Sequence, residues 1–325
     1  MNKEDLRIIF LGTPEFAVES LKRLHEGGYN IVSVVTMPDK VGGRGNKVIQ
    51  SAVKEYALAN SLPLLQPEKL KDEGFINTLR ELKADLQIVI AFRMLPEIVW
   101  SMPRLGTFNL HASLLPKYRG AAPINRAVMN GEQETGVTTF MLKHELDTGD
   151  ILKQVKIPID IYDDVETVHD KLMFLGADTV IETVDSIIAG NHTVVPQKSL
   201  IAQGIETCGA PKIFKEDCNI DWKRPAMEVY NHIRGLSPYP AAWTTLANSE
   251  NSDSGIQLKI YKTSLPQKTS TEILPGSIVA DKHHVFAVCG DGCMLELLSI
   301  QVSGKKRISG DEFLRGTQVA GKRFI

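Results

Sequence analysis

The sequence predicts an α/β protein, a doubly wound Rossmann-like domain followed by a smaller β-barrel domain. Three observations carry this. Strand and helix patterns alternate through the first part of the chain, short strands parted by turn residues fill the last third, and 325 residues exceed what one domain usually holds. The expected divisions are a catalytic domain over residues 1–190, a linker over 191–208 and a second domain over 209–325.

The elements follow in order. RIIFLGT, residues 7–13, is a buried strand. A helix over 14–25 starts with Pro14, whose missing N–H costs nothing at a first helical position, and stops at Gly27 and Gly28. IVSVVT is the next strand, then a Gly-rich loop, then helices over 49–59 and 68–82. DLQIVIAF is a continuous apolar run of the kind found in central parallel strands. GTFNLHASL reads as a strand ended by Pro116, with Tyr118, Arg119 and Gly120 in a tight loop and a helix over 122–129 closed by Asn130 and Gly131. GVTTFMLK alternates and is β-branched, hence a strand. A helix over 164–189 ends at Gly190, before a polar, proline-punctuated stretch. An amphipathic helix over 226–235 and the short strands AAWTTL, IQLKIYKTSL, GSIVA, HHVFAVC and CMLELLSIQ complete the chain.

Several functions are excluded. The first turn, Gly12 to Phe16, lacks the GxGxxG pattern and has Pro14 where a phosphate-cradling glycine would be needed, so it is not a dinucleotide site. Cys289 and Cys293 flank a turn but lack two further ligands for zinc, so no metal is expected. Cys208, Cys218, Cys289 and Cys293 read as reduced thiols. The N-terminus enters a strand almost at once and no apolar run reaches membrane-spanning length, which predicts a cytoplasmic protein without a signal peptide. The sequon at 191–193 then has no meaning. Hydrophobic content of 43% and charged content of 23% are those of ordinary globular proteins. Net charge is −2, but it is uneven. Residues 1–206 carry 22 Lys/Arg against 27 Asp/Glu, whereas 207–325 carry 15 against 12, a mild bias toward phosphate-bearing partners in the C-terminal part.

The chemistry concentrates between residues 108 and 150. On a strand with a side-chain period of two, Asn109, His111 and Ser113 share one face. Asp147 follows the next strand in LDTGDI, whose small polar residues favour a loop. An amide can polarise a carbonyl, an imidazole can stabilise charge or move a proton, and a carboxylate can orient the imidazole. Together they suit direct acyl transfer. No acyl-enzyme is expected, because Ser113 has no evident activating base. Taken singly, each of the three has an ordinary structural explanation: a turn cap, a core histidine, a turn former.

The Asn109/His111 pair with SLLPKYRG and distant Asp147 closely resembles the folate-dependent formyltransferase family. The opening IIFLGTPEFAVESL, the loop TMPDKVGGRGNK, and APKIFKEDCNIDW, IRGLSPYPAAW and GKKRISGDEFLRG extend the resemblance over nearly the whole chain, and they are similar to the branch that acts on tRNA. The resemblance implies an OB-like C-terminal domain that binds tRNA. It implies transfer of the formyl group of N10-formyltetrahydrofolate to the α-amino group of methionyl-initiator-tRNA by a monomer. Asn109 would donate to the formyl oxygen, His111 would stabilise the tetrahedral oxyanion and Asp147 would pair with His111. Ser113, Leu114, Leu115, Pro116, Phe92 and Leu95 would lie at the folate site. Arg93 stands where many relatives have glycine, a departure that bears on the local backbone and the rim of that site. Many relatives also have glycine where Ala241 stands.

The loop over 38–47 holds three glycines and three cations with almost no apolar residue, and so reads as exposed and mobile. Lys40, Arg44 and Lys47 are candidates for phosphate contact, and Arg44 matches the arginine that the family directs at the tRNA acceptor end. Lys305, Lys306 and Arg307 match the family's C-terminal pattern, with a solvated hairpin tip as the plain alternative. Arg234 either faces RNA or ends a helix. Three other functions stay open: formyl transfer to glycinamide ribonucleotide, usually the work of a shorter chain without the β domain; formyl transfer to an amino sugar; and non-catalytic RNA binding.

Overall fold

A computed structural model describes residues 2–42, 47–248, 251–269 and 273–325. The chain divides into two compact units that interleave in sequence. One comprises Met1–Gly120, Glu134–Ile157 and His169–Ala210, the other Ala121–Gln133, Pro158–Val168 and Pro211–Ile325.

The chain opens with β1 (Ile8–Gly12), α1 (Glu15–Glu26) and β2 (Ile31–Val35). α1 buries Phe16, Ala17, Leu21 and Leu24, a helical stripe laid on the sheet. A hairpin, β3 (Lys40–Gly42) with β4 (Lys47–Ile49), replaces the expected loop, with Gly42 opposite Lys47. α2 (Ala52–Ala59) starts where the Ser51 hydroxyl accepts the Lys54 N–H at 3.1 Å, which shortens the predicted helix by one turn. β5 (Leu64–Leu65) precedes α3 (Glu73–Glu81), which is capped by Asp72 accepting from Phe75 N at 3.0 Å. That cap releases residues 68–72 from the predicted helix. β6 (Leu86–Ile90), α4 (Glu97–Trp100), β7 (Thr107–His111), β8 (Arg119–Gly120), α5 (Pro123–Met129), β9 (Glu134–Met141), β10 (Ile151–Pro158), α6 (Val165–Ala189), α7 (Gln197–Ala202) and β11 (Gly209–Ala210) follow.

The first unit contains a seven-stranded sheet in the order β10-β9-β7-β6-β1-β2-β5. From β7 to β5 all pairs are parallel, so the carboxyl ends of these strands collect at one edge, where doubly wound proteins bind ligands. β9 instead runs antiparallel to β7, pairing Phe108 with Met141 and His111 with Thr138. The sheet is therefore mixed, with β9 between β10 and β7 and its residues 135–140 all buried.

The second unit holds α8 (Ala226–Leu236), β12 (Ala242–Asn248), β13 (Asn251–Thr263), β14 (Gln267–Lys268), β15 (Ile278–Ala280), β16 (Val285–Val288), β17 (Cys293–Val302), β18 (Arg307–Ser309), α9 (Gly310–Gly316) and β19 (Lys322–Phe324). Its antiparallel sheet runs β15-β16-β17-β13-β12-β19, with β14 and β18 also on β17. Register shifts between Ile260 and Thr263 bend β13, and a single bridge between Ser277 and Arg323 links the two ends of the sheet into an OB-like half-barrel. Its core includes Trp222, Tyr230, Leu258, Ile300, Phe313 and Phe324. α8 packs on α5 where Gly235 leaves room: a Cβ there would lie 2.7 Å from Met129 N.

All four cysteines are free thiols, and burial pushes the Cys289 thiol up to about 12. Among the described residues, no helix is long and apolar enough to cross a membrane, and no group of three or more His, Cys, Asp or Glu side chains could hold a metal ion.

Candidate active site

Asn109 and His111 lie on β7, whose parallel partner β6 ends beside them with Ile90 opposite Leu110. Asn109 is half-buried, and among the described residues its side-chain amide has no hydrogen-bond partner. His111 is buried, its ring edge-on to Phe140 with centroids 6.4 Å apart. Nε2 lies 2.8 Å from the Tyr118 carbonyl. Because a carbonyl only accepts, that nitrogen carries the proton and Nδ1 is left to face Asp147.

Asp147 Oδ2 lies 3.9 Å from His111 Nδ1, close enough for charge interaction but longer than a hydrogen bond. The strand alone would not have brought it there. β9 passes His111 at Thr138 and ends three residues further on, opposite Phe108, so the segment over 142–150 must carry Asp147 back. It does so through a left-handed residue, Asp147 itself at φ 53°, a conformation that Asp tolerates better than most side chains. The Asp147 carboxylate also accepts the Gly120 N–H at 2.9 Å.

The groups that lock this geometry do not stand out in the sequence. Gln197, on α7 in the predicted linker, is 1% exposed. Its Nε2 donates to the main-chain carbonyls of Asp147 at 2.9 Å and Gly149 at 2.8 Å, while Oε1 accepts from Arg119 Nε at 3.1 Å and from the guanidinium terminus at 2.6 Å. One side chain thus ties both loops that flank the imidazole. β8 is in turn held by β11, and the Tyr118 N–H donates to the Cys208 carbonyl at 2.7 Å. Gly120, at φ 129°, has no room for a Cβ, which would meet the Ala210 oxygen at 2.5 Å. The sequence signal for Gln197 is only the proline before it.

The other predicted residues divide. Ser113 lies past the end of β7 rather than on it. It is fully buried and donates to the Lys117 carbonyl at 2.7 Å. Leu115 is buried with Phe140 and Ile151, and Pro116 is buried beside it; Leu114 is half-buried. Phe92 packs against the cluster that contains Leu95 and Val99. Arg93 is not the residue that needs glycine-like backbone, since Ala91 takes the left-handed conformation at φ 47°. Arg93 Nη1 donates to the Glu68 carbonyl at 2.8 Å and Nη2 to the Pro67 carbonyl. At Ala241, φ is 74°, which gives the physical reason for glycine in relatives.

Among the cations, Lys40 is exposed on β3, Lys47 begins β4 and Arg44 lies outside the described residues. Lys305 and Lys306 are exposed at the turn between β17 and β18, and Arg307 stacks on Tyr261 at 4.2 Å. Arg234 does not face outward. It is 7% exposed and donates to the Asp160 and Asp163 carbonyls and to Asn231, so burial with fixed acceptors excludes the RNA-facing alternative.

A mixed α/β unit presenting an amide, an imidazole and a carboxylate at strand ends, with a separate antiparallel half-barrel, defines a formyl transferase. The sequence profile described as Formyl transferase matches residues 6–184, and that described as Formyl transferase, C-terminal domain matches residues 212–318; the chain belongs to this family. It is similar to methionyl-tRNA formyltransferase of Bacteroides fragilis, at 60% identity over 316 residues, covering 97% of this chain and 96% of that protein. It is equally similar to methionyl-tRNA formyltransferase of Phocaeicola vulgatus, at 60% identity over 326 residues and 100% of each chain. A solved sugar 3N-formyl transferase, crystallised in the presence of dTDP and 5-N-formyl-THF, shares the fold with a TM-score of 0.61 at 21% identity, over 93% of this chain and 99% of that one.

Proposed function

We infer that this protein transfers the formyl group of N10-formyltetrahydrofolate to the α-amino group of methionyl-initiator-tRNA, giving the formylmethionyl-tRNA used to begin translation. Full-length identity to methionyl-tRNA formyltransferases supports the substrates. For the mechanism, one observation carries the reading: His111 Nδ1 stands 3.9 Å from Asp147 Oδ2, next to an Asn109 amide with no partner of its own among the described residues.

The neutral amine attacks the formyl carbon, forming the new C–N bond. Asn109 donates to the formyl oxygen as it becomes anionic. The proton shed by the amine passes through the Asp147 carboxylate to His111 Nδ1. The imidazolium, held between the Tyr118 carbonyl and Asp147, stabilises the oxyanion by its charge. Collapse breaks the C–N10 bond, and the proton goes to N10 of the departing tetrahydrofolate. Ser113 to Pro116, with Phe92 and Leu95, support or line the folate site.

Residues 1–190 act as the catalytic segment and 209–325 as the tRNA-binding segment, joined through 191–208. Lys40, Arg44, Lys47, Lys305, Lys306 and Arg307 meet tRNA phosphates. The protein works as a cytoplasmic monomer. Incubation with N10-formyltetrahydrofolate and either charged initiator tRNA, a nucleotide-linked amino sugar or glycinamide ribonucleotide tests the reading. Formylmethionyl-tRNA is expected as the product, and formylation of only the other amines would reject it.

A further inference from the structure

The hairpin of β3 and β4 rises from the same sheet edge as the candidate site, because it follows β2, and β2 runs parallel to β7 through β1 and β6. Three strand spacings of about 4.8 Å set its root roughly 14 Å along that edge from β7. Its strands carry two cations, with Lys40 opposite Ile49 and Lys47 opposite Gly42. Val41, Val48 and Ile49 are exposed at 69%, 60% and 56%, so burial in a core does not fix the direction in which the hairpin points. A two-stranded ribbon without such burial is marginal by itself. Its direction falls to the polar groups at its root.

Three ties close that root. Thr36 Oγ1 lies 2.8 Å from Ser51 Oγ, joining the residue that leaves β2 to the cap of α2. Lys54, in the first turn of α2, reaches back so that Nζ donates to Asp39 Oδ1 at 2.9 Å and to Oδ2 at 2.7 Å. Gln66, just after β5, donates from Nε2 to the Met37 carbonyl and to Asp39 Oδ1, both at 2.9 Å. Asp39, the residue before β3, is thus gripped from α2 and from the end of the strand beside β2. The Lys54 side chain is 12% exposed, which directs its charge at Asp39 rather than at solvent. An ion pair this near the surface adds little to global stability, so breaking it should release the hairpin without unfolding the sheet.

We propose that Asp39 is a positioning residue for the tRNA substrate: clamped by Lys54 and Gln66, it aims the hairpin that carries Lys40 and Lys47 at the acceptor strand whose aminoacyl end reacts beside His111. Lys54 acts through Asp39 and not on phosphate. The proposal rests on the reading of this hairpin as a tRNA contact.

The test is steady-state formylation of methionyl-tRNA by the full-length enzyme and its Asp39→Asn and Lys54→Met variants. The first keeps the side-chain shape and an acceptor for Gln66, the second keeps the apolar stem, and both lose the ion pair. Each should raise the KM for methionyl-tRNA about fivefold, because a ribbon no longer held in its bound direction must be ordered on binding. The kcat and the KM for the folate donor should stay near those of the unaltered enzyme. The double variant should be no worse than either single one, since one loss already opens the clamp, and Lys54→Arg should restore the KM. Asp39→Asn also separates the clamp from a direct contact. If Lys54 met phosphate itself, removing the neighbouring carboxylate would lower the KM for methionyl-tRNA, and that result would overturn the proposal. An unchanged KM in both variants would do so too, as would a rise shared by the folate donor or a loss confined to kcat. Arg44→Ala, assayed alongside, tells the failures apart. A raised KM there with Asp39→Asn unchanged removes the clamp alone, whereas no effect in Arg44→Ala removes the hairpin as a tRNA contact and the clamp with it. Absence of formylmethionyl-tRNA from the unaltered enzyme would instead reject the function itself.

Discussion

The Gln197 amide donates to the main-chain carbonyl of Asp147 at 2.9 Å, and so a residue fifty positions further along the chain fixes the turn that aims the candidate carboxylate at the imidazole. The same side chain accepts from Arg119, next to the Gly120 N–H that binds Asp147 Oδ2. Replacing it acts on both sides of His111.

Gln197→Ala should lower kcat by roughly tenfold or more while leaving the KM for methionyl-tRNA near that of the unaltered enzyme, because misplacing a group by a fraction of an ångström costs rate before binding. Gln197→Glu should be worse. It keeps the acceptor for Arg119 but loses both donors and sets a carboxylate against two carbonyls. Steady-state kinetics on both variants checks this, and equal activity of the two would contradict the clamp.

Asn109→Ala, His111→Ala and Asp147→Ala should each lose about 10²–10³ in kcat with an intact fold, since in the proposed mechanism each removes a group needed only as charge develops. Circular dichroism and single-turnover formylation separate folding from chemistry. Turnover within a few-fold of the starting enzyme for His111→Ala would remove it from the mechanism.

Gly149→Ala should prevent stable folding of the site. A Cβ there would lie 1.6 Å from the Met141 carbonyl oxygen, and the neighbouring main chain cannot retreat without breaking the 2.9 Å bond from Met141 N to the Asp150 carbonyl. Overpacking of this kind costs ~1–3 kcal/mol or more. A fall in melting temperature is the readout.

His232, on α8, is held below the ordinary imidazole range by burial, with the Arg224 and Arg126 charges adding to the effect and the Cys218 carbonyl and Asp217 opposing it. Its neutral form is favoured in the folded state. The unfolded chain therefore binds more protons once pH drops below 6.5, and the contribution to stability, full above that pH, declines as pH falls toward the lowered folded value. Melting temperature measured between about pH 7.5 and 5.5 should fall less steeply in His232→Asn than in the unaltered protein.

Lys305→Ala combined with Lys306→Ala should weaken tRNA binding without changing the KM for the folate donor. The log–log salt dependence of binding should become shallower by about one unit for each phosphate that the variant no longer neutralises. Arg44→Ala should do the same from the other unit, and filter binding across a salt series measures both.

Much of the fold is legible in the sequence because the signals are local. The apolar run at residues 8–12 and the one at 86–90, broken only by Gln87, read as interior strands, and Asn109 and His111 share a face by the period of a strand. Helix starts are less legible, since Ser51 and Asp72 must be recognised as caps inside longer helical patterns. The hairpin of β3 and β4 is hidden by glycines and charges that read as loop. Arg234 looks available for RNA because its acceptors at Asp160 and Asp163 are more than seventy residues away.

The sequence by itself determined the fold class, the family and the residue types of the site, because periodicity and motif spacing are properties of neighbours in the chain. Only the tertiary structure decided how Asp147 reaches His111. The antiparallel pairing of β9 with β7 carries that strand past the imidazole, and a left-handed turn, Gly120 and Gln197 together return the carboxylate to 3.9 Å. Those partners are held by hydrogen bonds between segments twenty-seven to fifty residues apart, and no local pattern encodes them.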